Sequence, residues 1–184
     1  MNTFETIIKR HLEAEGYWVR GSVKVRLSGD EKKAIGLPSM PRPEIDLVAF
    51  HVRTNKLVLV EVKSLLDSGG VDIDSITGEY KKLAKRYRIF NNPNYRKIVT
   101  NALRKQYIEL GLIQKNTDIT YALAAGKVYS SEEPEIEKYF KQKGWLFISP
   151  KMIRESIRKL AEESWEDDPV ALTAKLILRE DRSK

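Results

Sequence analysis

Cysteine is absent from this chain of 184 residues, which excludes a disulfide framework and any metal site built on thiolates. No apolar run is long enough to span a bilayer, and the first residues lack the basic, apolar and small-residue order of a secretory leader. We therefore expect a soluble cytoplasmic protein without a membrane partner.

Several familiar chemical signatures are missing as well. The chain has no Gly-rich phosphate-binding loop, and no serine, histidine and aspartate stand in the order and context of a hydrolase triad. Only two histidines occur, His11 and His51. Both are predicted to be structural, because His11 falls on the inward stripe of a helix and His51 on an apolar strand face.

The order of predicted elements indicates one α/β domain. Apolar residues at helical spacing predict a first helix over residues 3–15, then a strand over 17–27 and a loop over 28–42. Strands are also predicted at 44–52, 57–63, 119–128 and 145–148, and helices at 76–90, 94–110, 134–143, 150–162 and 169–180. With 41% hydrophobic residues, the chain can bury one sizeable core.

Positive charge is concentrated in one segment. Residues 79–105 hold nine lysines and arginines against one acid, Glu79, a net charge of +8, and the rest of the chain, with twenty-four bases and twenty-five acids, is close to −1. Neutralising phosphates supplies most non-specific affinity for nucleic acid, so this segment suits a polyanionic partner. The nine bases are Lys81, Lys82, Lys85, Arg86, Arg88, Arg96, Lys97, Arg104 and Lys105.

Aromatic residues are interleaved with these bases, and two roles stay open for them. They could stack on nucleobases, yet Tyr80 and Tyr87 also fall at the spacing of a buried helix face. Many of the bases could likewise be merely solvated.

Two apolar runs, 44–52 and 57–63, predict an antiparallel hairpin whose turn is centred on Thr54 and Asn55. The runs are apolar on both faces, which predicts helices packed on both sides of the sheet.

This hairpin gathers three charged residues. The turn pairs residue 46 with residue 63 and residue 48 with residue 61, and opposite residues share a face. Because side chains alternate along a strand, Asp46, Glu61 and Lys63 would lie on one face. A shift of one residue would separate Asp46 from the other two.

Charged groups at a strand end are costly unless a cation or hydrogen bonds compensate them. The triplet Glu-x-Lys begins at Glu31, Glu61 and Glu79, so by itself it says little. Only the copy at Glu61 ends an apolar strand and follows a strand that carries an aspartate. An ordinary cross-strand ion pair is the alternative interpretation.

These residues resemble a known motif. The segment 43–46 (PEID), followed after fourteen residues by 61–63 (EVK), resembles the PD-(D/E)XK nuclease superfamily. The first helix, which ends near Gly16, resembles the opening helix of Holliday-junction resolvases and Mrr-like endonucleases, whose site includes a glutamate about three turns before that glycine. Glu5 is the residue so placed, and the proline and aspartate of the motif are separated by two residues here instead of being adjacent.

The resemblance implies a restriction-endonuclease-like fold. We expect an αβββαβ core over about residues 1–130, with a mixed central sheet flanked by helices. Extra C-terminal helices over about 131–184 would be additions to a single nuclease-like domain.

The resemblance also implies metal-dependent hydrolysis of phosphodiester bonds in DNA at Glu5, Asp46, Glu61 and Lys63. Asp46, Glu61 and the carbonyl of Val62 would bind Mg²⁺, with Mn²⁺ as a substitute. Lys63 would orient the attacking water or stabilise developing negative charge. Cutting both strands of a duplex requires two such sites, so a homodimer or sequential nicking is expected.

Two other functions stay open: a catalytically inactive nucleic-acid-binding module on the same fold, and a nuclease that cleaves RNA. Asp67, Asp72 and Asp74 could be further ligands, although a solvated acidic loop also explains them. Gln106 could reach the site or be an ordinary helix-surface residue.

Overall fold

The computed structural model describes residues 2–39, 42–164 and 167–179. At its centre is a five-stranded sheet with the strand order β1-β2-β3-β4-β5. The first three strands are antiparallel, and β4 and β5 continue the sheet in parallel with β3. The strands are β1 (Trp18–Lys24), β2 (Glu44–His51), β3 (Lys56–Lys63), β4 (Asp118–Ala125) and β5 (Leu146–Ile148).

Helices cover both faces of this sheet. The predicted α/β class with a mixed sheet flanked by helices is therefore confirmed. The helices are α1 (Thr3–Ala14), α2 (Gly29–Ala34), α3 (Ile73–Thr77), α4 (Lys81–Ala84), α5 (Arg88–Asn91), α6 (Pro93–Glu109), α7 (Glu133–Lys143), α8 (Pro150–Glu162) and α9 (Pro169–Leu178), with a 3-10 turn at Lys85–Tyr87.

Each sheet face has its own core. On one face, Ile8 of α1 and Ile153 of α8 pack against a layer that includes Val60 of β3. On the other, Val99 of α6 packs in a cluster with Leu59. Consecutive strand residues thus serve opposite layers, which explains why these strands are apolar on both faces.

A third apolar cluster lies at the β4 end of the sheet. It joins Tyr87 and Phe90 to Phe140 of α7, with Trp145 packed against it. The Phe90 and Phe140 rings meet edge to face, with centroids 5.1 Å apart. This cluster fixes the chain between β3 and α6, where most of the basic residues lie.

The register of the β2–β3 hairpin differs from the prediction by two residues. The turn spans four residues, Val52 to Asn55, and His51 pairs with Lys56. Asn55 takes a left-handed conformation, with φ of 48°, and its side-chain oxygen accepts a 2.7 Å hydrogen bond from Thr117. This contact from the α6–β4 connection is not visible locally, and it favours a turn that begins one residue earlier than predicted.

The shift of two residues preserves the faces of the strands. The observed pairs Leu47–Val60 and Val48–Leu59 place Asp46 level with Glu61, not with Lys63 as predicted. Asp46 and Glu61 therefore come closer along the strands than the predicted register implied.

Two segments depart from their predicted structure. The loop expected over 28–42 contains α2, whose N-terminal Ser28 and Glu31 form a reciprocal capping box. The helix expected over 76–90 is broken into α3, α4, the 3-10 turn and α5, because α3 ends at Gly78 with φ of 95°. The Asn91 side chain then donates to the carbonyls of Ser75 and Ala84, which fixes the irregular path.

Across the described residues, no helix combines the length and apolarity needed to cross a bilayer.

Gly126 controls how closely the ends of β3 and β4 approach. Its N–H donates to the Lys63 carbonyl at 2.8 Å, and an added Cβ would lie 2.5 Å from the Ser64 carbonyl oxygen. We expect Gly126→Ala to lower the free energy of unfolding by about 1–3 kcal/mol in urea denaturation, because main-chain atoms would have to move.

Gly29→Ala is the matched control, since an added Cβ there meets nothing within 4 Å. It should leave the free energy of unfolding unchanged or raise it by less than about 1 kcal/mol. Equal stability of the two variants would contradict this account of Gly126.

Candidate active site

Asp46 lies where the ladder between β2 and β3 ends. The last ladder pair is Leu47–Val60, and beyond it the Val62 N–H donates to Oδ2 of Asp46 at 2.7 Å. A side-chain carboxylate thus takes the place of a main-chain acceptor. This hydrogen bond holds Asp46 against β3, next to Glu61.

Glu61 and Lys63 stand two residues apart on β3, so they share one side of the strand. The Lys63 ammonium donates to Oε1 of Glu61, and the two side chains are only 18% and 19% exposed. Lys63 Nζ also lies 5.9 Å from the centre of the Tyr87 ring. The lysine is therefore held between a carboxylate and an aromatic face.

The surroundings of the Glu61 carboxyl disfavour its ionised form. Burial raises its pKa above the ordinary value of 4.5, Lys63 opposes that shift, and the negative charges of Asp46 and Glu5 add to it. Hydrogen bonds join Asp46 to the Val62 N–H and Lys63 to Glu61, whereas Glu5 acts on Glu61 through its charge alone. The fold thus brings three of the predicted residues, Asp46, Glu61 and Lys63, to one strand end.

Glu5 has a structural task in addition to this position. It is the third residue of α1, and its carboxylate accepts from the Asn2 main-chain N–H at 3.1 Å and from the Asn2 side chain at 2.8 Å. The Asn2 side chain in turn accepts from the Glu5 N–H, which completes a capping box. Glu5 therefore stabilises the start of α1, and its influence on the site is through its charge.

The arrangement could hold a cation through a small oxygen donor set. No group of three or more histidine, cysteine, aspartate or glutamate side chains within the described ranges is arranged to bind a metal. The predicted donors are instead two carboxylates, Asp46 and Glu61, and one main-chain carbonyl. The Val62 N–H points toward Asp46. Because the N–H and the carbonyl of one strand residue point to the same neighbouring strand, the Val62 carbonyl also points toward β2.

The nine basic residues divide by their surroundings. Arg96 donates to the carbonyls of Ile89 and Phe90 at 3.1 and 2.9 Å, and its guanidinium lies 4.9 Å from the Trp145 ring centre. Arg104 donates to the carbonyl of Thr117 at 2.8 Å. These two arginines stabilise the fold.

Arg88 is half-buried and lies 6.0 Å from the Tyr95 ring centre. The remaining six bases are exposed, and they are Lys81, Lys82, Lys85, Arg86, Lys97 and Lys105. The surface most able to meet phosphates is therefore smaller than the sequence suggested.

The aromatic residues of this segment are mostly core. Tyr87, Phe90 and Tyr107 are buried, and Tyr80 is exposed. Burial raises the pKa of the Tyr87 hydroxyl, and the charges of Asp72 and Glu61 raise it further. Sequence reasoning missed the position of Tyr87 beside Lys63, because the helical pattern indicated only that this side is buried.

Other residues considered from the sequence have structural roles. Gln106 accepts from the Arg26 N–H at 3.1 Å, which ties the chain after β1 to α6. Asp72 caps α3 by accepting from Ser75 N–H at 2.7 Å. His11 is buried with a pKa lowered chiefly by burial, and the His51 ring packs 5.1 Å from Tyr17.

Comparison with protein-family models, with curated proteins and with solved structures finds no match to this chain.

The raised pKa of Glu61 predicts a pH dependence of stability. The folded chain holds the Glu61 proton more tightly than the unfolded chain does. Protonation of Glu61 therefore contributes its full share to the free energy of unfolding below about pH 4.5, and this share is lost as pH rises through the folded pKa. Glutamine mimics the protonated acid. In EDTA at pH 7 we expect Glu61→Gln to unfold at higher urea concentration than the wild type, with the difference shrinking toward pH 4.5.

Glu137→Gln, an exposed position on α7, serves as the control and should change the free energy of unfolding by less than about 0.5 kcal/mol. A Glu61→Gln protein that is less stable than the wild type at pH 7 would contradict this prediction. It would show that Lys63 stabilises the ionised carboxylate by more than burial destabilises it.

Proposed function

We propose that this chain is a metal-dependent DNA endonuclease of the PD-(D/E)XK type with a restriction-endonuclease-like fold. One observation carries the proposal: the Asp46 carboxylate, fixed by the Val62 N–H, lies beside a partly buried Glu61–Lys63 pair at a strand end. An ion pair with a purely structural role would not need a second, half-buried acid whose charge adds to the effect of burial in raising the pKa of Glu61.

The order of elements supports the same proposal. The sequence α1, β1, β2, β3, α6 and β4 follows the αβββαβ order expected of that superfamily, with short helices inserted. The remaining strand, β5, joins the edge of the sheet through β4. In the proposed enzyme, the chain after β4 is an addition that also extends the sheet.

The chemistry of the donor set fits Mg²⁺ or Mn²⁺, which prefer hard oxygen ligands. Asp46 and Glu61 would hold the ion with the Val62 carbonyl, and Glu5 would contribute directly or through water. Burial, together with the charges of Asp46 and Glu5, raises the pKa of Glu61, and a cation there would offset both effects. Such an ion, when bound, polarises the scissile phosphate and acidifies a water molecule.

Lys63 supplies the remaining chemistry. Its ammonium carries three donors, and one is held by Glu61. The other donors can orient the attacking water or stabilise the negative charge that develops on the phosphate. The exposed bases of α4, the 3-10 turn and α6 would bind the DNA backbone on either side of the cut.

Cutting both strands of a duplex requires two sites, so we propose that the chain acts as a homodimer or nicks the strands in sequence. A second candidate function is DNA binding without cleavage on the same fold. It is favoured by the Lys63–Glu61 ion pair, which occupies an oxygen that a metal would need.

The first test concerns the chemistry. We expect Asp46→Ala to abolish Mg²⁺-dependent cleavage of a labelled duplex, and Lys63→Ala to lower its rate roughly 100-fold or more, the cost of removing one preorganised donor. Affinity of Lys63→Ala for DNA, measured without divalent metal, should stay nearly unchanged. Cleavage that continues undiminished in EDTA would rule the mechanism out.

The second test concerns the binding surface. We expect replacement of Lys81, Lys82, Lys85 and Arg86 by glutamine to weaken binding to all DNA sequences. The slope of log K against log salt should flatten by about 0.9 for each lost phosphate contact.

A control variant removes the same charge elsewhere, replacing four exposed bases of α7 and α8: Lys138, Lys141, Lys151 and Arg154. It should bind DNA with a nearly unchanged salt slope. Identical salt dependence of the two quadruple variants would place the DNA surface elsewhere, with the connection over 28–42 the next candidate.

A further inference from the structure

A cleft of about 450 Å³ adjoins the candidate active site, and nothing in the proposed chemistry uses it. Tyr87 belongs to both, because its ring lines the cleft and also lies 5.9 Å from Lys63 Nζ. A volume of this size is typical of sites for small organic groups. The side chains that line it include Tyr80, Arg86, Tyr87, Tyr129, Asp74 and Glu132.

Two of the lining tyrosines are exposed to solvent. Tyr80 is 46% and Tyr129 is 52% exposed, so their rings are available to a ligand. Flat aromatic faces in a cleft are suited to stacking on nucleobases, which every base allows regardless of its identity. The two tyrosines come from segments that are far apart in the chain, and the fold brings both to the lining of one cleft.

The cleft is held in shape before any ligand enters. Val71 and Val128 form a β-bridge that joins its two sides. The Ile73 N–H donates to the Glu132 carboxylate at 2.9 Å, and an added Cβ on Gly69 would lie 3.4 Å from the Tyr129 ring. A preformed cleft loses little entropy when it binds a ligand.

Acidic side chains outnumber basic ones in the lining of the cleft, where Arg86 is accompanied by Asp72, Asp74 and Glu132. The three carboxylates disfavour a phosphate inside the cleft but can accept hydrogen bonds from the amino and imino groups of a base. The exposed Lys81 and Lys82, on the segment that carries Tyr80, do not line it. A nucleotide is matched by this pattern when its base enters and its phosphates stay outside.

We infer that this cleft binds one unpaired nucleobase next to the scissile phosphate. The substrate class would then be DNA that carries an unpaired nucleotide, as in a bulge, a flap or a single-stranded end. This inference rests on the proposed function, because the substrate class follows from cleavage at the neighbouring site.

The test measures DNA binding in EDTA, where no metal-dependent cleavage occurs. Fluorescence anisotropy would compare a fully paired duplex, the same duplex with one extrahelical cytosine, and the same duplex with an extrahelical abasic residue. We expect the wild type to bind the cytosine bulge roughly tenfold more tightly than either of the others, as one base–aromatic stack allows.

The matched variants separate the aromatic ring from the hydroxyl group. Tyr80→Ala/Tyr129→Ala should lose the preference for the cytosine bulge while its affinity for paired duplex is unchanged. Tyr80→Phe/Tyr129→Phe should keep the preference, because both rings remain.

Equal affinity of the wild type for the cytosine and abasic bulges would overturn the inference, and so would an undiminished preference in the alanine variant. The cleavage assay in Mg²⁺ is scored separately. A preference for the cytosine bulge without cleavage of any DNA would overturn the proposed chemistry and leave the base-binding cleft standing. Cleavage of DNA without the preference would overturn only the cleft.

Discussion

The hydrogen bond from the Val62 N–H to the Asp46 carboxylate joins β2 and β3 where their main-chain ladder stops. It keeps one acid against the strand that carries Glu61 and Lys63, so three ionisable groups share a small, partly buried space. The raised pKa of Glu61 follows from that confinement, since burial and neighbouring negative charge both disfavour its ionised form.

The C-terminal helices contribute to this confinement from a distance. Asp168 caps α9 by accepting from the N–H groups of Val170 and Ala171, and its carboxylate also lies 3.6 Å from Arg10 Nε on α1. Ile153 of α8 shares a core cluster with Ile8 of α1. The helix that presents Glu5 is thus held by residues that the sequence indicated only as additions.

The break-up of the chain between β3 and α6 into short helices determines which tyrosines are buried and which are exposed. A single long helix would have continued its buried stripe, but Gly78 ends α3 in a left-handed conformation and short helical elements follow. Tyr87 is buried beside Lys63 as a result, and Tyr80 remains exposed at the mouth of a cleft. The basic residues between these two tyrosines stay in solvent.

Much of the candidate site could be predicted because its signals are local. Alternation along a strand put Asp46, Glu61 and Lys63 on one face, and the two-residue correction of the hairpin register left that grouping intact. Glu5 was selected by its position before Gly16, and its charge adds to the raised pKa of Glu61 after the larger effect of burial.

The order of the five strands and of the long helices α1, α6, α7, α8 and α9 was determined by the sequence by itself, since apolar periodicity, capping residues and prolines act within a few residues. Only the tertiary structure decided the hairpin register, through the contact of Asn55 with Thr117. It also decided that Arg96 donates to the carbonyls of Ile89 and Phe90 and so has a structural role. Such contacts join residues whose partners are chosen by packing, so no local pattern in the chain encodes them.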